Sequence, residues 1–97
     1  MAGQGFVKMN RMICHFSGNV QGVGFRYTAS HIAQRYNVTG YVKNLSDGRV
    51  ELVMEGPDPE MDHFVESLRQ KMNGYIRNVD RQIHAATGEF NRFSIKH

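Results

Sequence analysis

An α+β fold, one sheet with two helices layered on a single face, is predicted by three observations. Apolar residues alternate at Met12-Cys14-Phe16 and at Val50-Leu52-Met54, and residues 41–45 and 76–85 are also strand-like. Two intervening stretches, from Phe25 and from Met61, space their apolar residues for a helix. Asp47-Gly48 supplies a tight turn between the second and third strands, so those two pair directly. The order is strand, helix, strand, strand, helix, strand, then a short terminal strand at Phe93 and Ile95. Two split βαβ units joined by a hairpin make the ferredoxin-like two-layer sandwich, βαββαβ plus that last strand. Right-handed crossovers put both helices on one face of an antiparallel sheet. The other face is expected to be open to water, which suits His15, Lys43 and Glu51.

Each element has its own reason. Residues 1–10 carry two glycines and no period, and are expected to be a flexible leader before a domain over 11–97. Met12, Cys14 and Phe16 face inward on the first strand, with Ile13, His15 and Ser17 outward. The first helix runs from Phe25 with Ala29, Ile32, Ala33 and Tyr36 on one face, and Asn37 and Gly40 punctuate its end. Ser46-Asp47-Gly48-Arg49 is expected as a type I′ turn, leading into Val50, Leu52 and Met54 facing inward. Gly56-Pro57 breaks that strand, Asp58 is the expected N-cap, and Pro59 suits the first helical position. Met61, Phe64, Val65, Leu68 and Met72 form a helical stripe assigned to core packing, and Asn73-Gly74 ends the helix. On the strand 76–85, Val79 and Ile83 are the expected inward residues; Gly88 marks a loop.

Ninety-seven residues, 40% of them hydrophobic, make one domain with one modest core. The net charge of +3 suits an anionic ligand, but the basic residues are scattered and read best as a solvated surface. The single cysteine, Cys14, has no internal partner, which points to a reducing cytosol; its place in an apolar alternation makes it a small buried hydrophobe. No apolar N-terminal stretch is long enough for a signal peptide or a membrane span, so a cytoplasmic location is expected. Asn37-Val38-Thr39 and Asn44-Leu45-Ser46 match a glycosylation pattern that a cytosolic protein would not use.

The stretch Ser17-Gly18-Asn19-Val20-Gln21-Gly22-Val23-Gly24-Phe25-Arg26 joins strand to helix through three glycines. Successive amides in such a turn form an anion nest, and a helix start adds unpaired N–H groups. Arg26 adds a planar fork of donors that matches a phosphate or carboxylate. The stretch therefore reads as a site for a tetrahedral oxyanion. Other chemistries fail on spacing. No lysine follows Gly18 at the P-loop distance, and Gly24 is followed three residues later by Tyr27 rather than glycine. Cys14 lies before the loop, and His15, His31, His63, His84 and His97 have no metal-ligand spacing, so no metal is expected. A second cluster, Gly40-Tyr41-Val42-Lys43-Asn44, then Gly48, Val50 and Gly56, puts a polar Asn44 on the helix-facing side of a strand end. A turn-forming asparagine and a catalytic one fit that position equally well.

Gly18-x-Val20-Gln21-Gly22-Val23-x-Phe25-Arg26 resembles the first signature of the acylphosphatase family. Gly40-Tyr41-Val42-Lys43-Asn44-x3-Gly48-x-Val50-x5-Gly56 resembles the second, in the right order. The likeness runs from Met12 to the end of the chain, and the family's fold agrees with the one argued above. It implies hydrolysis of the carboxyl–phosphate bond of small acyl phosphates, with carboxylate and inorganic phosphate as products. It implies that Arg26 holds the phosphoryl oxygens, that Asn44 orients the attacking water, and that backbone N–H groups of Asn19, Val20, Gln21, Gly22, Val23, Gly24, Phe25 and Arg26 complete the cradle. No metal, cofactor or phosphoenzyme is required, because a carboxylate leaves readily and an amide acts by positioning. The Gln21 side chain reads as a brace for the loop. Asn19 stands where the family often has a basic residue, and His97 where an aromatic or arginine lies nearby, changes that bear on the surroundings of Arg26.

Neither nucleic acid nor membrane is an expected partner, and a monomer is expected because one core accounts for both helix stripes. The alternative is a non-catalytic ferredoxin-like module binding anions or RNA. Tyr41 is one possible open-face aromatic for it, but the chain lacks the lysine/arginine-glycine-aromatic run of an RNA-recognition motif.

Overall fold

The computed structural model describes residues 7–97. Its elements are β1 (Met9–Gly18), α1 (Phe25–Ala33), β2 (Thr39–Asn44), β3 (Val50–Pro57), α2 (Asp58–Lys71), β4 (Ile76–Ala85) and β5 (Phe93–Lys96). The sheet order is β4-β1-β3-β2-β5. Its first four strands are antiparallel neighbours, as the split βαβ pattern requires. β5 differs: it runs parallel to β2, with Val42 opposite Ile95, so the sheet is mixed rather than wholly antiparallel. Most of the expected leader, residues 1–6, lies outside the described residues. Met9 and Asn10 are not leader but the start of β1, opposite Pro57 and Gly56.

One core lies between the sheet and the helices. Met12, Cys14 and Phe16 meet Val50, Leu52 and Met54 from the sheet, and all are buried against the α2 stripe of Met61, Phe64, Val65 and Leu68. Phe16 packs on Phe25 with ring centroids 5.1 Å apart, and Phe64 on Phe93 at 5.5 Å. Each such ring or leucine removed from water contributes roughly 1.5–3 kcal/mol. Ile83 does not join this core; it is 52% exposed. α2 lies over β3 and β1, and α1 over β2 and β5, so the far end of the edge strand β4 extends past the helix layer. Val79 is half-buried against the core's rim.

Two local expectations change. The β2–β3 turn is not type I′: no described non-glycine residue has positive φ, and only Gly48 does, at 95°. Gly48 N–H donates to the Leu45 carbonyl at 3.2 Å and Leu45 N–H to the Arg49 carbonyl at 2.8 Å, a three-residue loop with glycine in the left-handed position. Asp47 does not take positive φ, and its carboxylate accepts the Arg49 N–H at 3.0 Å. At α2, Pro57 is the N-cap residue, and the Asp58 carboxylate accepts from Asn10 Nδ2 at 2.9 Å instead of capping the helix.

The sheet's second face is only partly open. β4 and β5 occupy opposite edges, so residues 86–92 must travel across the sheet to connect them. On the way they bury Glu55, which is 3% exposed. Glu55 accepts from Arg11 Nε at 2.8 Å, from Thr87 N–H at 2.8 Å and from Gly88 N–H at 2.9 Å. Phe90 lies between Tyr41, at 6.0 Å between centroids, and the Arg11 guanidinium, 5.0 Å from the ring centre. Beyond this cover, His15 meets Glu51 at 3.0 Å and Tyr41 O–H donates to Glu51 at 2.9 Å. The crossing delivers β5 to the strand that ends in Asn44 and brings Lys96 and His97 to α1.

Candidate active site

The glycine stretch leaves β1 where only glycine fits. Gly18 has φ of 123°, and a Cβ there would meet the Tyr75 carbonyl oxygen and Arg77 nitrogen at 2.6 Å each. Val20 is fully buried and pins the loop to the core. Gly22 and Gly24 take φ of 77° and 78°, and Gly24 is the N-cap residue of α1. Among the described residues, no backbone carbonyl accepts the N–H groups of residues 20–26. Three of these, on Gly24, Phe25 and Arg26, belong to the start of α1, where the dipole also favours an anion. Asn19 is the exception to the expected cradle. Its N–H donates to the Tyr75 carbonyl at 2.9 Å and is taken up by the fold.

A cavity of about 170 Å³ opens over this loop, lined by Val20, Gly22, Gly24, Phe25, Arg26, Tyr27 and Asn44. Arg26 reaches it from the first turn of α1, and Asn44 from the last residue of β2. The two signature residues, eighteen positions apart in sequence, thus share one hollow because α1 packs on β2. Gln21 and Val23 do not line it. Gln21 Nε2 donates to the carbonyls of Leu45, at 2.8 Å, and Arg49, at 2.9 Å, which is the bracing role its amide suggests. Val23 packs against the core.

Asn44 Oδ1 is buried and has no hydrogen-bond partner among the described residues. Leaving such an acceptor unsatisfied costs roughly 1–3 kcal/mol, so Oδ1 has hydrogen-bonding capacity to offer at the hollow. Arg26 is half-buried, and its Nη1 lies 3.3 Å from His97 Nδ1 and 3.5 Å from the Lys96 carbonyl. No carboxylate pairs with it among the described residues, so its charge faces the hollow uncompensated. His97 touches Arg26, whose surroundings it was expected to affect, whereas Tyr27 and Lys96 were not legible as site residues. Tyr27 stands off the apolar stripe beside Arg26, which is the one signal it gave.

Other reactive groups are elsewhere. Cys14 is fully buried, and burial pushes its thiol up to about 12, far from a nucleophilic thiolate. Among the described residues no three metal-ligating side chains cluster, and no helix is long and apolar enough to cross a membrane. A larger hollow of about 270 Å³ beside Arg69, Asn73 and Arg77 lacks both a glycine loop and a buried unpartnered side-chain atom.

Comparison with known proteins gives the family. The acylphosphatase family model matches residues 12–95. An acylphosphatase of Paenarthrobacter aurescens (strain TC1) is 43% identical over 86 residues, covering 88% of this chain and 92% of that protein. The crystal structure of acylphosphatase from Bacillus subtilis superposes with a TM-score of 0.84 at 32% identity, over 91% of this chain and 99% of that one. An acylphosphatase structure from Coxiella burnetii gives 0.80 at 30% identity, over 92% and 94%. The chain belongs to the acylphosphatase family and is an acylphosphate phosphohydrolase.

Proposed function

We propose that hydrolysis proceeds by direct, metal-independent attack of one water on the phosphorus of an acyl phosphate, with Arg26 and the loop amides of residues 20–26 holding the phosphoryl oxygens. Asn44 positions the water through Oδ1, which accepts one of its hydrogens. The new P–O bond forms as the bond to the acyl oxygen breaks, and the carboxylate leaves with the electron pair. The water's proton passes to a phosphoryl oxygen, since no side-chain base lines the cavity. Arg26 and the amides act by neutralising charge on the transferring group, a role in which loss of one donor costs roughly 10²–10³ in rate. An amide does not titrate near neutrality, so Asn44 contributes geometry rather than proton transfer.

The observation that carries this reading is the buried, unpartnered Oδ1 of Asn44 in the same hollow as Arg26 and the loop. The chain is proposed to act on small acyl phosphates as a monomer in the cytoplasm. A buried free Cys14 and helix stripes used up in one core support that setting. The RNA-binding alternative needs a bare sheet face, and residues 86–92 occupy part of it through Glu55 and Phe90. The test is acetyl phosphate hydrolysis in the presence of a chelator, by wild type and by Arg26→Ala, with circular dichroism as the folding control. Chelator-resistant turnover that falls roughly 10²-fold or more in the variant is expected. Near-normal turnover by Arg26→Ala contradicts the assignment.

A further inference from the structure

We propose that Tyr27 binds the acyl group, so that the enzyme favours acyl phosphates with a flat apolar acyl face, aroyl phosphates above all. The inference rests on the proposed roles of Arg26 and Asn44. A hollow of about 170 Å³ over the glycine loop accommodates the phosphoryl group and its water, and the acyl group must emerge at the mouth. In-line displacement fixes the direction. The attacking water and the leaving oxygen sit on opposite sides of phosphorus. If Asn44 holds the water, the acyl group points away from Asn44.

Of the other lining residues, Val20 and Phe25 are buried and the glycines offer only backbone. Arg26 is committed to the phosphoryl oxygens. Tyr27 remains, and at 70% exposure it presents the most open large apolar side chain of the described residues. A wider hollow also reaches Asn44, lined by Lys43, Leu45, Ser46, Asp47 and Arg49, with Arg49 and Asp47 paired at 2.8 Å. It lies on the Asn44 side of the phosphorus, where in-line attack puts the water and not the acyl group. A ring at the mouth can stack on an aroyl group while its hydroxyl stays in solvent.

The experiment compares kcat/KM for benzoyl phosphate and acetyl phosphate in wild type, Tyr27→Ala and Tyr27→Phe. The readout is the benzoyl-to-acetyl ratio within each protein, which removes the intrinsic reactivity of each substrate. Tyr27→Ala is expected to lower the ratio about fivefold or more, the scale of one aromatic pair, and Tyr27→Phe to retain it. An unchanged ratio in Tyr27→Ala, or equal losses on both substrates, overturns the proposal while leaving the roles of Arg26 and Asn44 standing. A folded wild type that hydrolyses neither substrate overturns both.

Discussion

Gln21 Nε2 donates to the Leu45 carbonyl at 2.8 Å, so the loop over β1 and α1 is tied directly to the residue after Asn44. A second bond from the same amide, to the Arg49 carbonyl at 2.9 Å, closes the other side of the turn. The two halves of the site are therefore joined directly, although they come from separate parts of the chain.

Gln21→Leu removes both bonds and leaves two part-buried carbonyls without a donor. A loss of roughly 1–3 kcal/mol in folding stability is expected. Turnover should fall by more than phosphate affinity, because the distance from loop to Asn44 is no longer fixed. Urea unfolding and steady-state kinetics on the same preparation check this. A variant with lowered stability but unaltered kinetics contradicts the brace.

Glu55 makes stability depend on acid. Burial would raise its carboxyl, but the Thr87 and Gly88 amides and the Arg11 guanidinium outweigh burial and hold it down at about 2, against the usual 4.5. The folded chain thus favours the carboxylate. Its contribution is complete above pH 4.5 and is lost as the pH falls through 2, a total of roughly 3 kcal/mol. Glu55→Gln is expected to be destabilised by an amount of this order at pH 7 and to show a flatter fall in urea midpoint between pH 4.5 and 2. Parallel curves for the two proteins contradict the assignment.

Gly40 and Gly48 both have positive φ, at 140° and 95°, but differ in space. A Cβ on Gly40 would lie 1.9 Å from the Val53 carbonyl oxygen and 2.7 Å from Met54 Cα, with no room to shift inside the β2–β3 pair. A Cβ on Gly48 meets nothing within 4 Å. Gly48→Ala should cost only the backbone strain, about 1–2 kcal/mol. Gly40→Ala should cost several times more or abolish folding, as thermal melts of the two variants will show.

Much of this was legible in the sequence, and for identifiable reasons. The stripes at Met12-Cys14-Phe16 and Met61-Phe64-Val65-Leu68 follow element periodicity, and all are buried as their spacing requires. The partners of Arg26 and Asn44 in space follow from the order of elements, since a split βαβ pair places a β1–α1 loop near the end of β2. What the sequence concealed depends on long-range geometry. Ile83 obeys the strand pattern but lies beyond the helices. Glu55 reads as an outward residue and is buried only because residues 86–92 cross over it. Asn19 looks like part of the cradle until Tyr75 takes its N–H. Asp47-Gly48 is a turn either way, and its type shows only in the φ of Asp47 and Gly48.

The measurement that bears most directly on the mechanism is a pair of numbers for Asn44→Ala: its kcat on acetyl phosphate and its dissociation constant for inorganic phosphate. The account assigns Asn44 to the water and Arg26 to the phosphate. It predicts a kcat lower by roughly 10²-fold or more with phosphate affinity within a few-fold of wild type. Equal losses in both would make Asn44 a phosphate ligand and contradict the account.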